Sequence, residues 1–320
     1  MFFILLVTVM GPTIFLLIKN ILVVRPWMMS GKFREPAIGW PMLSDMWITV
    51  VGALVSWALN AFLNKFTWNF YYRECKEKND EEVRIAKTQK MVDNTFRTIF
   101  FTVASVWGYV LGFREEYFPM AIGGRGDFSH MFDNYPSCEL PAGFKQYYLG
   151  IMGYHVFMLV YHSILEKVRH DYMETMFHHV LVISLFSTVY FLNYLRFSLV
   201  VLVMNDIPDI FIQALRVVVE TNYKRLTVFI GYCTLYSWIY FRQITLAYFI
   251  YRSLWQAPNI FHGRTDIQAT ELITVLFTLL LFLNSYWLTL LLKALVRYKR
   301  HGDAAISELK ETDNLKQKKQ

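Results

Sequence analysis

Seven ionisable side chains stand inside otherwise apolar stretches of this sequence: His155, His162, His178, His179, Asp206, Asp209 and Arg242. Imidazole with carboxylate is the pairing that proton transfer and nucleophilic catalysis use, because the carboxylate fixes the ring tautomer and stabilises its charged form. Asp206 and Asp209 are three apart and share one face of a helix. His178 and His179 are neighbours, about 100° apart around a helix, so they cannot share one role; one can face a cavity while the other braces it. If the chain turns near residues 194–197, a rise of 1.5 Å per residue puts Asp209 about 20 Å and His179 about 25 Å from the turn, so the pairs can meet at one depth. A buried His–Asp pair that only ties two helices together fits the same spacing equally well. Arg242 needs a carboxylate, backbone carbonyls or a ligand anion, and either aspartate would serve. His155 and His162 are seven apart on one face. With no third ligand at metal spacing, they read as packing or helix-to-helix hydrogen bonding, and no metal site is expected.

Such side chains need elements to hold them, and the distribution of charge says which. The chain has 320 residues, 55% of them apolar, with a mean hydropathy of +0.30. Eight stretches carry little or no charge and are flanked by Lys, Arg, Asp or Glu: 1–18, 46–64, 98–113, 146–165, 175–195, 197–215, 226–251 and 272–292. All but the short 98–113 suit a hydrocarbon core roughly 30 Å thick. Strands span membranes only as closed barrels with alternating sequences, whereas LITVLFTLLLFLNSYWLTLLL at 272–292 is apolar all round. The expected fold class is an all-α polytopic membrane protein with about eight transmembrane helices. The first stretch has no basic start and no obvious small-residue cleavage site before Lys19, which reads as a retained span, with a cleaved signal as the alternative.

The formal charge of +7 concentrates in 65–90 and 297–319, which flank the membrane rather than form an aromatic-interleaved patch. Nucleic acid is therefore not an expected partner, and membrane lipids are. The positive-inside rule puts both basic regions, and with eight spans both termini, on the cytosolic side. The loop with Arg25, Lys32 and Arg34 would then be basic yet lumenal, a conflict that seven spans with a peripheral first helix would remove. Cys75, Cys138 and Cys233 are too scattered for a disulfide framework and read as free thiols. The charged stretch 71–89 has no Pro or Gly and suggests a solvated helix. GGRG at 123–126 has no strand before it and no Lys-Ser/Thr after it, so it reads as a turn in a lumenal loop and not as a phosphate loop. The closing KQKKQ has the look of a cytosolic retrieval signal for the endoplasmic reticulum.

From Lys167, the run KVRHDYMETMFHHVLVISLFSTVYFLNYLRFSLVVLVMNDIPDIFIQALR resembles, without a gap, the signature of ceramide synthases and their TLC domain. The matching positions are Asp171 and Glu174 before the pair His178 and His179, then Asn193, Tyr194 and Arg196, then Asn205, Asp206 and Asp209. Weaker echoes are DNYP at 133–136, Arg242, and LNSYW at 283–287. The resemblance covers about residues 87–300 and implies a six-helix TLC domain. The division it suggests is two N-terminal helices (1–70), a charged cytosolic segment (71–95), the TLC domain (96–297) and a charged tail (298–320).

What the resemblance implies chemically is N-acylation of a sphingoid base, with acyl-CoA as cosubstrate and no bound cofactor. His178 or His179 would accept the acyl group or deprotonate the amine, Asp206 and Asp209 would orient the imidazole and stabilise its charged form, and Arg242 or cytosolic basic residues would handle coenzyme A phosphates. The sequence also departs from the pattern: Asn205 stands where the family has His, Gln213 where it has Glu, Ser198 where it has Gly, and Pro208 lies between the aspartates, where it should kink the helix. A catalytically lapsed accessory or structural subunit of a membrane complex, with other subunits holding the tail, is the alternative. The expected compartment is the endoplasmic reticulum membrane, with the mitochondrial inner membrane as the alternative.

Overall fold

A computed structural model describes residues 41–133, 138–165, 172–252 and 267–301. The expected first span, the loop with Arg25, Lys32 and Arg34, Asp171, the side chain of Glu174 and the tail from 302 lie outside the described residues. Among those described, every regular element is helical: α1 Trp47–Glu74, α2 Glu81–Gly112, α3 Phe144–Leu165, α4 Tyr172–Phe191, α5 Leu195–Val218, α6 Lys224–Ile239, a π-helical turn Tyr240–Thr245, α7 Leu246–Ile250 and α8 Ile267–His301. By length and composition, three segments among the described residues can cross a membrane, Leu43–Glu74, Leu195–Val218 and Ile273–Tyr298, with Thr175–Phe191 a shorter apolar run. Among the described residues, three of the expected spans meet this criterion, and the expected first span lies outside them. The other helices mix tyrosines, histidines or charged turns into their apolar residues.

The charged stretch at 71–89 is not a helix of its own. It is the end of α1, a turn at 75–80, and the first turns of α2, which runs unbroken into the apolar 98–112. Asp80 caps α2 by accepting from the Val83 amide at 3.1 Å, and Glu81 and Glu82 in the first turn complement the helix dipole. Side chains sew this corner to the one between α5 and α6. The Lys76 amide donates to Glu220 O at 2.9 Å, Lys76 Nζ to Val219 O, and the Tyr223 hydroxyl to Glu74 at 2.9 Å. Lys87 donates to Glu77 at 2.7 Å and holds that carboxyl below its usual range.

Helix α1 lies along α3, and α2 along α5. The first crossing is made by glycines. A Cβ on Gly153 would stand 2.4 Å from Thr49 O, and one on Gly52 2.8 Å from Gly150 O, so the backbones touch where side chains would hold them apart. Asp45, just before α1, accepts from Lys145 at 2.7 Å and from the Tyr190 hydroxyl at 2.5 Å, tying α1 to the start of α3 and the end of α4.

The reversal between α4 and α5 is built at Asn193, which has φ 59, a left-handed conformation that Asn tolerates better than most side chains. The Tyr194 amide donates to Val189 O at 2.9 Å and the Asn193 amide to Tyr190 O at 3.1 Å, the pair of bonds that closes a helix through a left-handed residue. Two residues on, Arg196 donates to Glu139 O, His130 O and Asp133 O at 3.0 to 3.4 Å and lies over Tyr117, which ties these loop residues to the bundle end. In that loop Gly126 is required by contact, since a Cβ there would be 1.8 Å from Glu116 O. GGRG is a tight loop turn.

Candidate functional site

Four helices and the π turn each present polar residues to one point inside the bundle. His178 on α4, Asn205, Asp206 and Asp209 on α5, Arg242 on the π turn, Asn284 on α8 and His155 on α3 all line one cavity of about 70 Å³. Tyr148, Phe186, Leu185, Val201 and Phe277 supply its apolar walls. Tyr148 also ties α3 to α4, its hydroxyl donating to Phe186 O at 2.9 Å.

The π turn explains how Arg242 arrives there. An inserted residue rotates the helix locally, and such turns recur at functional positions. Arg242 is buried, and its Nη2 donates to Asp209 at 2.6 Å and to Asn205 O at 2.8 Å. Asn205 O lies in the turn where Pro208 has no N–H to give Met204 O. Helix α5 continues from Leu195 to Val218 through the proline, and the guanidinium supplies a donor from outside at the weakened turn. The planar group also stacks over Trp238, 4.3 Å from the ring centre. Of the two aspartates that the spacing made available, Asp209 takes the arginine. Asp206 stays 3% exposed, with Oδ2 lacking a hydrogen-bond partner.

The two adjacent histidines part as the helical angle requires. His178 faces the cavity and packs edge-on against Trp287, with ring centres 5.1 Å apart. His179 turns toward α3, 5.1 Å from His162 and 5.9 Å from His155. Four imidazoles therefore form one cluster, and the pair on α3 read as packing residues contributes His155 to the cavity as well. The Nδ1 atoms of His155, His178 and His179 have no hydrogen-bond partner. Asp206, Asp209 and His178 share the cavity wall, while His179 lies outside it. Among the described residues no three His, Cys, Asp or Glu side chains are placed to hold a metal ion.

Asn205 turns its Nδ2 back to Val201 O at 2.8 Å, which leaves its side-chain oxygen for other company. Gln213 is buried with Oε1 lacking a hydrogen-bond partner. Sequence reasoning assigned no role to Trp238, Trp287 or Asn284. A signal was present, since a buried-length apolar run with one Asn, and a Trp three residues on, marks a polar stripe facing the bundle.

The profile of the TLC domain matches residues 90–293. The chain belongs to the TLC-domain family. Among relatives of this TLC protein, ceramide synthase hyl-2 of Caenorhabditis elegans is 22% identical over 305 residues, spanning 88% of each chain. Ceramide synthase hyl-1 of the same organism is 24% identical over 231 residues, 69% of this chain and 60% of that one. Ceramide synthase LAG1 of Saccharomyces cerevisiae is 28% identical over 182 residues, 52% of this chain and 43% of that one. With these relatives and its apolar helices, this TLC-domain protein is ceramide-synthase-like and integral to a membrane. The matched region holds every cavity-lining residue.

Proposed function

We propose that this protein moves a fatty acyl group from coenzyme A to the amine of a sphingoid base in the endoplasmic reticulum membrane. The observation that carries this reading is the convergence of His178, Asp206 and the Asp209–Arg242 pair on one buried cavity. His178 takes a proton from the amine as its nitrogen adds to the thioester carbon. The C–N bond forms, the C–S bond breaks and the proton passes to the departing sulfur, giving an amide and the free thiol. Asp206, on the same cavity wall, stabilises the charged ring. His179 is a positioning residue that braces α4 against His162.

Of the two candidates for the coenzyme A phosphates, Arg242 and the cytosolic basic residues, Arg242 has its terminal nitrogens committed inside the bundle. In this reading it holds Asp209 and the weakened turn of α5. The phosphates fall to exposed basic groups at the charged end, Arg73, Lys78 and Lys90.

The test uses the full chain in lipid vesicles, given a long-chain base and acyl-CoA. Formation of the N-acyl product is expected, with a loss of about 10²–10⁴-fold on His178→Ala. Failure to turn over any base with any acyl length would sink the reading.

A second reading, a TLC-fold membrane subunit without catalysis, is favoured by Asn205 in place of His and by Gln213 in place of Glu. Co-purification of defined membrane subunits with inactive protein would support it, and robust turnover by the isolated chain would end it.

A further inference from the structure

Asn284 is 1% exposed on α8, with Arg242 on one side and the cavity on the other. A carboxamide offers one acceptor oxygen and two N–H donors, so its orientation follows from what its neighbours can do. The guanidinium of Arg242 only donates, and its Nη1 stands 3.5 Å from Asn284 Oδ1. The indole of Trp238 also only donates, and it takes the backbone oxygen of Asn284 at 3.1 Å. Trp238 anchors the backbone of α8 at this residue, while Arg242 claims the side-chain oxygen, which turns Asn284 Nδ2 the other way. That nitrogen has no hydrogen-bond partner.

A buried donor without a partner is costly to keep, and the cavity it lines holds further polar atoms in the same condition: Asp206 Oδ2, Arg242 Nε and the Nδ1 atoms of His155 and His178. A ligand that satisfies Asn284 and Asp206 must bring an acceptor to the first and a donor toward the second. A carbonyl oxygen and an amine N–H are such a pair. We propose that Asn284 Nδ2 donates to the carbonyl oxygen of the acyl group in transfer, a role that rests on the acyl-transfer reading above. As the carbonyl carbon becomes tetrahedral its oxygen gains negative charge, so this bond strengthens on the way to the transition state. Arg242 orients the carboxamide beforehand, and Trp238 anchors the backbone that carries it.

Two unreactive analogues isolate the contact. In one, a methylene between sulfur and carbonyl makes a ketone that cannot transfer its chain. The other is the thioether, which lacks the carbonyl. Their affinities are measured on the full chain in nanodiscs, for the natural sequence, Asn284→Asp and Asn284→Ala. The aspartate keeps an oxygen for Arg242 and removes the N–H.

The natural chain is expected to bind the ketone about 10-fold more tightly than the thioether, and both variants to bring that ratio to about one. Damage to the fold would weaken both analogues together and leave the ratio standing. A ratio that persists in the variants, or that is absent in the natural chain, overturns the proposal. So does a carbon-13-labelled ketone whose bound carbonyl band is not shifted to lower frequency, a measurement that needs no variant. If the natural chain binds neither analogue, the acyl-CoA reading itself fails.

Discussion

Arg242→Met is the most informative single perturbation of this bundle. Methionine keeps much of the aliphatic length and can still lie against Trp238, but it removes the 2.6 Å bond to Asp209 and the 2.8 Å bond to Asn205 O. Removing one member of a buried ion pair costs about 3–5 kcal/mol, because the remaining charge has lost its compensation. The lost bond to Asn205 O, at a turn already short of one donor through Pro208, would by itself cost about 1.5–3 kcal/mol. One guanidinium makes both contacts, so the two figures overlap, and a total of about 3–5 kcal/mol is expected. Replacing both charged partners by apolar groups removes the orphaned charge, so Arg242→Met with Asp209→Leu should recover at least half of the loss. The assay is reversible unfolding of purified protein in mixed micelles, with both single variants and the double variant closing a cycle. A loss under about 1 kcal/mol for Arg242→Met, or a double variant no better than the sum of the singles, would refute the claim that this pair organises the cavity.

Two further outcomes follow from local geometry. Gly153→Leu should force α1 from α3 and cost about 1–3 kcal/mol, with a matching loss at Gly52→Leu; melting of either variant unchanged from the natural chain would contradict the backbone contact at that crossing. Asn193→Gly should leave stability within about 0.5 kcal/mol, while Asn193→Val should lose about 1–2 kcal/mol, read by chemical unfolding, because a branched Cβ opposes positive φ.

Much was legible in the sequence because membrane helices announce themselves through charge-free length, and polar residues inside them are costly enough to stand out. The three-residue spacing of Asp206 and Asp209, the divergence of His178 from His179 and the reversal near Asn193 are consequences of helical geometry within one or two neighbouring segments. They needed no knowledge of which helix packs on which. The fate of 71–89 was misread for a related reason: charge composition says that a segment is polar, but the break at 75–80 is set by contacts with Glu220 and Val219, far along the chain.

Sequence alone determined the family, the helical membrane character and the list of polar side chains that must find partners. Tertiary structure decided who those partners are. Asp209 rather than Asp206 meets Arg242, because the π turn at 240–245 resets the direction of the arginine, and no propensity in that stretch foretells such a turn. His155 and His162 join the pair on α4 only because α3 packs beside it, and Asn284 presents its side-chain donor to the cavity only because Arg242 takes its side-chain oxygen. Helical periodicity fixes where a side chain points on its own helix, whereas the neighbour it meets depends on the order and crossing of helices distant in sequence.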